Sequence, residues 1–224
     1  MENQNKARAD LRQLMPFFIV AFVGIIYHLR IRPMAGDDVF FSQATSELGL
    51  WDYLIQRYEA WTSRFVIEFL LVWIIKYPIL WRLIDLTLFI SFPVLISKIF
   101  DGGKLMDWCA AAAVLLYPFH DMGTAGWITT TVNYFWPVWG MFFVGFLLKK
   151  MLVHKKINIV EGIAGVLVCV IASSHEQVAV ILFEVFILYG IYLICGKSKK
   201  MPLVQDSAGS TLTDKKVIHS NNLY

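Results

Sequence analysis

Residues 14–31 read LMPFFIVAFVGIIYHLRI. At about 1.5 Å per residue this run approaches the roughly 30 Å of a bilayer core, and it is apolar until its last few positions. Lys6, Arg8 and Arg12 precede it. Basic residues before a first span favour a cytoplasmic N-terminus. The run is long for a signal peptide and no small-x-small cleavage pattern follows, so it reads as an uncleaved span.

Composition agrees. Of 224 residues, 58% are hydrophobic and 17% charged, with mean hydropathy +0.59. Soluble domains hold about 45–50% apolar and about 25% charged residues. The excess falls in separate blocks, which means several spans. The net charge of +3 comes from basic residues in short turns. It reports topology rather than nucleic-acid binding. Cys109, Cys169 and Cys195 lie inside apolar blocks without a Cys-x-x-Cys pattern, and read as small buried hydrophobes.

After the first span comes Met34-Ala35-Gly36-Asp37-Asp38, then an amphipathic stretch to Trp61. Its apolar residues (Phe40, Ala44, Leu48, Trp51, Leu54, Ile55, Tyr58) recur every three to four positions. That is the pattern of interfacial helices, with Gly49 dividing two of them. Residues 62–75 are apolar but span only about 21 Å as a helix. Further spans are expected at 79–96, 105–119, 135–148, 158–172 and 178–195. Arg82 and Asp85 are spaced to pair on one helical face. Basic turns at 98–104, 149–156 and 197–200 belong in the cytoplasm, which puts 34–64, 120–134 and 173–177 outside. The parity closes with about six transmembrane helices if 62–75 stays in the outer leaflet or re-enters, and with seven if it crosses. The expected fold is an all-α polytopic membrane protein. Residues 1–200 form a single membrane domain with interfacial helices at 34–64, and 201–224 form a polar, disordered tail.

The three outer segments hold the unusual polar residues. The first has Asp37, Asp38 and Arg64; the second His120, Asp121, Trp127, Asn133 and Tyr134; the third Ser174, His175 and Glu176. Carboxylates, a histidine and an arginine on one side suggest a site. Each also has a structural role open to it: a helix N-cap for Asp37 or Asp38, an interface anchor for Arg64, a helix start for His175-Glu176, and an aromatic belt for Trp127 and Tyr134.

Gly36-Asp37-Asp38, Trp61-Thr62-Ser63-Arg64, the stretch from Gly126-Trp127-Ile128-Thr129 to Asn133-Tyr134-Phe135-Trp136-Pro137, and Ser174-His175-Glu176 together resemble a family of bacterial GT-C-type membrane glycosyltransferases. Ser63 and Thr130 stand where that family usually has glycine, and its members are longer. The resemblance therefore implies a short or truncated member. It implies a plasma-membrane enzyme moving a sugar from a polyprenyl-phosphate donor to a glycan or glycolipid acceptor. Asp37, Asp38 and Glu176 would be catalytic. Arg64, His175, Trp127, Asn133 and Tyr134 would bind substrate, with Asp37 or Asp38 acting as base or holding Mg²⁺ or Mn²⁺. Membrane lipids are the other expected partner. The rival readings are a non-catalytic partner subunit and an envelope-glycolipid transporter, which needs polar residues at mid-membrane.

Overall fold

A computed structural model describes residues 2–46, 48–117 and 125–196. Among them the elements are α1 (Glu2–Arg30), α2 (Asp37–Gln43), α3 (Leu50–Ala60), α4 (Phe65–Ile74), α5 (Pro78–Phe100), α6 (Gly103–Leu115), α7 (Trp127–Leu152), α8 (Ile159–Ser173) and α9 (Glu176–Gly196). The described residues contain no strand. The chain divides into two compact units, Met1–Phe183 and Glu184–Tyr224; in the second, residues 184–196 are helical. The tail expected at 201–224, and His120 and Asp121, lie outside the described residues.

Among the described residues four helices are long and apolar enough to cross a membrane: Gln13–Arg30, Pro78–Phe100, Trp127–Leu152 and Glu176–Cys195. The protein is an all-α polytopic membrane protein. Of the six expected crossings, two are shorter than a bilayer core. Helix α6 has 13 residues and α8 has 15, or about 20 and 22 Å.

Local chemistry sets the helix ends. Pro78 occupies the first turn of α5, where its missing N–H is no loss. Asn158 and Glu161 form a reciprocal capping box that starts α8, and Lys150 pairs with Glu161 at 2.7 Å. Arg82 donates to the Ile31 carbonyl at 3.0 Å, just past the end of α1, instead of pairing with Asp85 as its spacing suggests. Helix α7 begins at Trp127, eight residues before the expected span, and takes a π-turn at Thr131–Phe135. Its polar residues are absorbed by back-bonding: Thr130 Oγ1 donates to Gly126 O at 2.6 Å and Asn133 Nδ2 to Thr129 O at 2.9 Å.

In lipid, apolar side chains gain little by meeting one another, so helix association relies on close packing and polar bonds. Both occur here. A Cβ on Gly140 of α7 would lie 3.0 Å from Val168 Cγ1 and 3.2 Å from Ala172 Cβ of α8. Trp81 Nε1 donates to Thr131 Oγ1 at 2.8 Å, joining α5 to α7. Asp85, buried in α5, accepts from Trp136 Nε1 at 2.7 Å and meets His28 Nε2 of α1 at 2.9 Å. His28 Nδ1 faces Gly24 O at 2.8 Å. Three helices are thus tied at one carboxylate. Short α4 is embedded rather than peripheral. It packs among α2, α3, α5, α7 and α8, and buries Ile67, Glu68, Leu71, Val72 and Ile74.

Replacing Asp85 by alanine leaves the Trp136 and His28 donors without their acceptor. Asp85→Ala is expected to lower stability by about 1–3 kcal/mol, and Asp85→Asn, which keeps an acceptor for Trp136, by less. Thermal unfolding of the purified protein in detergent micelles measures both. An alanine variant that unfolds with the wild type would remove this cluster as a tie between helices.

Candidate functional site

The acidic pair is divided by one residue of helix geometry. Gly36 caps α2 with φ 55° and ψ −130°, a conformation open to glycine. This turn sends Asp38 inward and leaves Asp37 outward. Asp38 is fully buried. Its carboxylate accepts from Met34 N at 3.3 Å, Ile128 N at 3.2 Å, Thr129 N at 2.8 Å and Thr129 Oγ1 at 2.8 Å. The first N–H groups of a helix have no partner within it. Asp38 supplies the acceptor for α7 from 90 residues away, where the helix dipole also favours a negative charge. Gly126 makes the approach feasible. Its φ is 96°, and a Cβ there would lie 2.8 Å from both the nitrogen and Oδ1 of Asp38.

The Trp61-Thr62-Ser63-Arg64 turn meets Glu176 at the start of α9. Arg64 binds Glu176 through one edge of its fork, with Nε 2.8 Å and Nη2 2.8 Å from Oε2. Ser63 Oγ donates to Glu176 Oε1 at 3.0 Å. The Arg64 guanidinium also lies 5.5 Å from the centre of the Tyr134 ring. Arg64 and Glu176 are both part-exposed, so the pair contributes position more than stability.

A second arginine pair was not singled out in the sequence. Arg57 of α3 donates through Nη2 to Glu68 Oε1 of α4 at 2.9 Å, and Tyr53 hydroxyl donates to Glu68 Oε2 at 3.2 Å. A signal was there: Glu68 is a lone carboxylate in an apolar stretch, which is costly unless paired.

These residues surround one cavity of about 500 Å³. Asp37, Arg57, Arg64, Glu68 and Glu176 supply its charges, Thr129, Thr130 and Asn133 its neutral polar groups, and Trp61 and Tyr134 its ring faces. Five of the residues anticipated from the sequence therefore converge: Asp37, Arg64, Asn133, Tyr134 and Glu176. Three do not line the cavity. Asp38 is the buried clamp on α7, Trp127 packs against the hydrophobic core, and His175 lies edge-on to Tyr134 with ring centres 5.5 Å apart. His175 is buried, and among the described residues neither ring nitrogen has a hydrogen-bond partner.

The donor set does not fit a divalent cation. Hard cations take several free oxygens, but the Asp38 oxygens face N–H and O–H donors, and Glu68 and Glu176 are each paired with arginine. Asp37 remains alone, and among the described residues no three His, Cys, Asp or Glu side chains group to hold a metal. Comparison of the chain with protein-family models, curated proteins and solved structures found no match.

Removing the Asp38 carboxylate strands three buried donors and the part-buried Met34 N–H. Asp38→Ala is expected to free the start of α7, at a cost of about 1–3 kcal/mol for each stranded group. Hydrogen exchange at the Ile128 and Thr129 amides reads the loss directly; unchanged protection in that variant would contradict the clamp. His175 gives a pH signature. Burial first, and the Arg64 charge second, hold its pKa below the ordinary histidine value. The fold then favours the neutral ring, so this contribution is complete above about pH 6.5 and is lost as pH falls below it. The Tm of the wild type should drop between pH 7.5 and 5.5, and His175→Phe should flatten that dependence.

Proposed function

We propose that the protein is a GT-C-type membrane glycosyltransferase. In this reading it moves a sugar from a polyprenyl-phosphate donor to a cell-envelope glycan or glycolipid, on the outer face of the bacterial plasma membrane, with its N-terminus in the cytoplasm. One observation carries the reading. Segments far apart in sequence bring a carboxylate with no ion-pair partner among the described residues, two arginines and aromatic rings into a single cavity beside exposed apolar helix surface.

The chemistry follows from those groups. An acceptor hydroxyl attacks the anomeric carbon, its oxygen forms the new glycosidic bond, and the bond to the phosphate oxygen breaks. The polyprenyl phosphate leaves with both bonding electrons. Asp37 takes the hydroxyl proton, since it is the cavity carboxylate with no ion-pair partner among the described residues. Asp38, its oxygens bound to α7, holds the loop that carries Asp37. Guanidinium groups balance the charge on the departing phosphate. Trp61 and Tyr134 offer faces for sugar rings, and Asn133, Thr129 and Thr130 offer donors and acceptors for hydroxyls. Glu176 orients Arg64 through its contacts to both Nε and Nη2. A glycolipid transporter would need a polar path through mid-membrane. The buried His28–Asp85–Trp136 cluster sits about 10 Å along α5 from its start, and its groups are bonded to one another.

The test uses purified protein in lipid, a radiolabelled polyprenyl-phosphate hexose and envelope-lipid acceptors. Wild-type protein should transfer label. Asp37→Asn should lower the rate by about 10²–10⁴-fold, the usual contribution of a general base, without changing Tm. Full transfer by Asp37→Asn would overturn the role of Asp37. No transfer by folded wild-type protein would overturn the activity.

A further inference from the structure

The two arginines of the cavity are not equivalent. Arg64 has committed both Nε and Nη2 to Glu176, so the edge that would chelate an oxyanion is occupied. Arg57 has not. Among the described residues its one ion pair uses Nη2, and its Nε is buried with no hydrogen-bond partner. A buried donor left in this state is costly unless a ligand oxygen completes it.

The surroundings hold that guanidinium ready. Glu68 fixes one end, and is itself buried and held by the Tyr53 hydroxyl. Burial and the nearby Glu68 charge push the Tyr53 pKa up, so the hydroxyl stays a donor. Aromatic rings surround the charge, with Phe41 5.7 Å from the Arg57 guanidinium carbon and Phe40 and Trp61 each at 6.0 Å. Rings at this range attract the cation through their faces and help hold it in place. The opposite side of α3 exposes Trp51, Ile55 and Tyr58. Aromatic residues of this kind gather at head-group depth, the level at which lipid phosphates lie.

We infer that Arg57 is the phosphate subsite of the cavity, receiving an oxyanion of a lipid-borne phosphate on its Nε edge, with Glu68 and Tyr53 as positioning residues. The inference rests on the proposed function in taking the ligand to be lipid-linked. The chemistry it requires is narrower: a phosphate ester oxygen meeting an unpartnered guanidinium N–H.

The experiment follows tryptophan fluorescence of the full chain in detergent micelles, Trp61 being in contact range of Arg57. The probes are a short isoprenyl monophosphate, the matching uncharged isoprenol, inorganic phosphate, and micelles doped with phosphatidylglycerol. Wild-type protein should bind the isoprenyl phosphate at least tenfold more tightly than the isoprenol. Arg57→Gln should weaken that binding by about 10–100-fold, and Arg57→Lys, which keeps charge but not the fork, by less. Because Arg57→Gln strands the Glu68 charge, the Arg57→Gln/Glu68→Gln double variant repeats the measurement without a buried unpaired carboxylate, and should show the same loss. Competition by inorganic phosphate, or binding of phosphatidylglycerol alone, would keep the subsite and identify what fills it. Wild-type affinity in the double variant would overturn it. So would equal binding of isoprenol and isoprenyl phosphate, or a loss confined to Arg64→Gln. Arg57-dependent phosphate binding without sugar transfer would overturn the glycosyltransferase reading alone; transfer with Arg57-independent binding would overturn the subsite alone.

Discussion

A buried carboxylate receiving four donors joins the segment after α1 to the start of α7. Asp38 brings the Met34 turn, the start of α2 and the first turn of α7 to one point. The arrangement answers two electrostatic needs at once. The start of α7 has N–H groups that water would otherwise solvate, and a charge buried away from water requires donors. Either requirement alone would be costly; together they cancel. The floor of the cavity is the result, since Thr129, Thr130 and Asn133 are carried by that helix start and Asp37 by the neighbouring α2 residue.

Around that floor the charges are partitioned. Among the described residues, two of the three cavity carboxylates are each matched to a guanidinium, and Asp37 is not. The two pairs also differ in kind. Arg64–Glu176 is a part-exposed clasp between the Trp61–Arg64 turn and α9. Arg57–Glu68 is set in a sleeve of aromatic rings. Deeper in the body, Asp85 draws α1, α5 and α7 together through His28 and Trp136. Polar contacts of this kind carry much of the specificity in a lipid solvent, where apolar faces have no preference for one another.

How much of this was legible depended on the range of the forces involved. The apolar blocks and the break at Gly49 are local properties, and α1, α5, α9 and the α2–α3 division follow from them. The start of α7 did not. Threonine and asparagine at 129–133 read as loop because their hydroxyl and amide groups look hydrophilic, whereas in the helix they bond to carbonyls one turn back. Nothing local separates Asp37 from Asp38 either, because the difference lies in partners 90 and 91 residues away. Arg57 was hidden among the polar residues of an amphipathic helix. Glu68, Asp85 and His28 were visible as ionisable groups in apolar runs, and that mismatch was the sequence signal for both buried networks.

The π-turn at Thr131–Phe135 has a bearing on how this chain can change over evolutionary time. A π-turn is an α-helix with one residue too many. Deleting a residue there would restore a regular helix and rotate everything before it by about 100°. The Ile128 and Thr129 N–H groups would swing off Asp38, and the wall formed by Thr129 and Thr130 would turn away from Asp37. Substitutions along this segment alter one contact each, whereas a single-codon deletion would dismantle the clamp and the cavity together. The chain can therefore drift in composition here far more readily than in length.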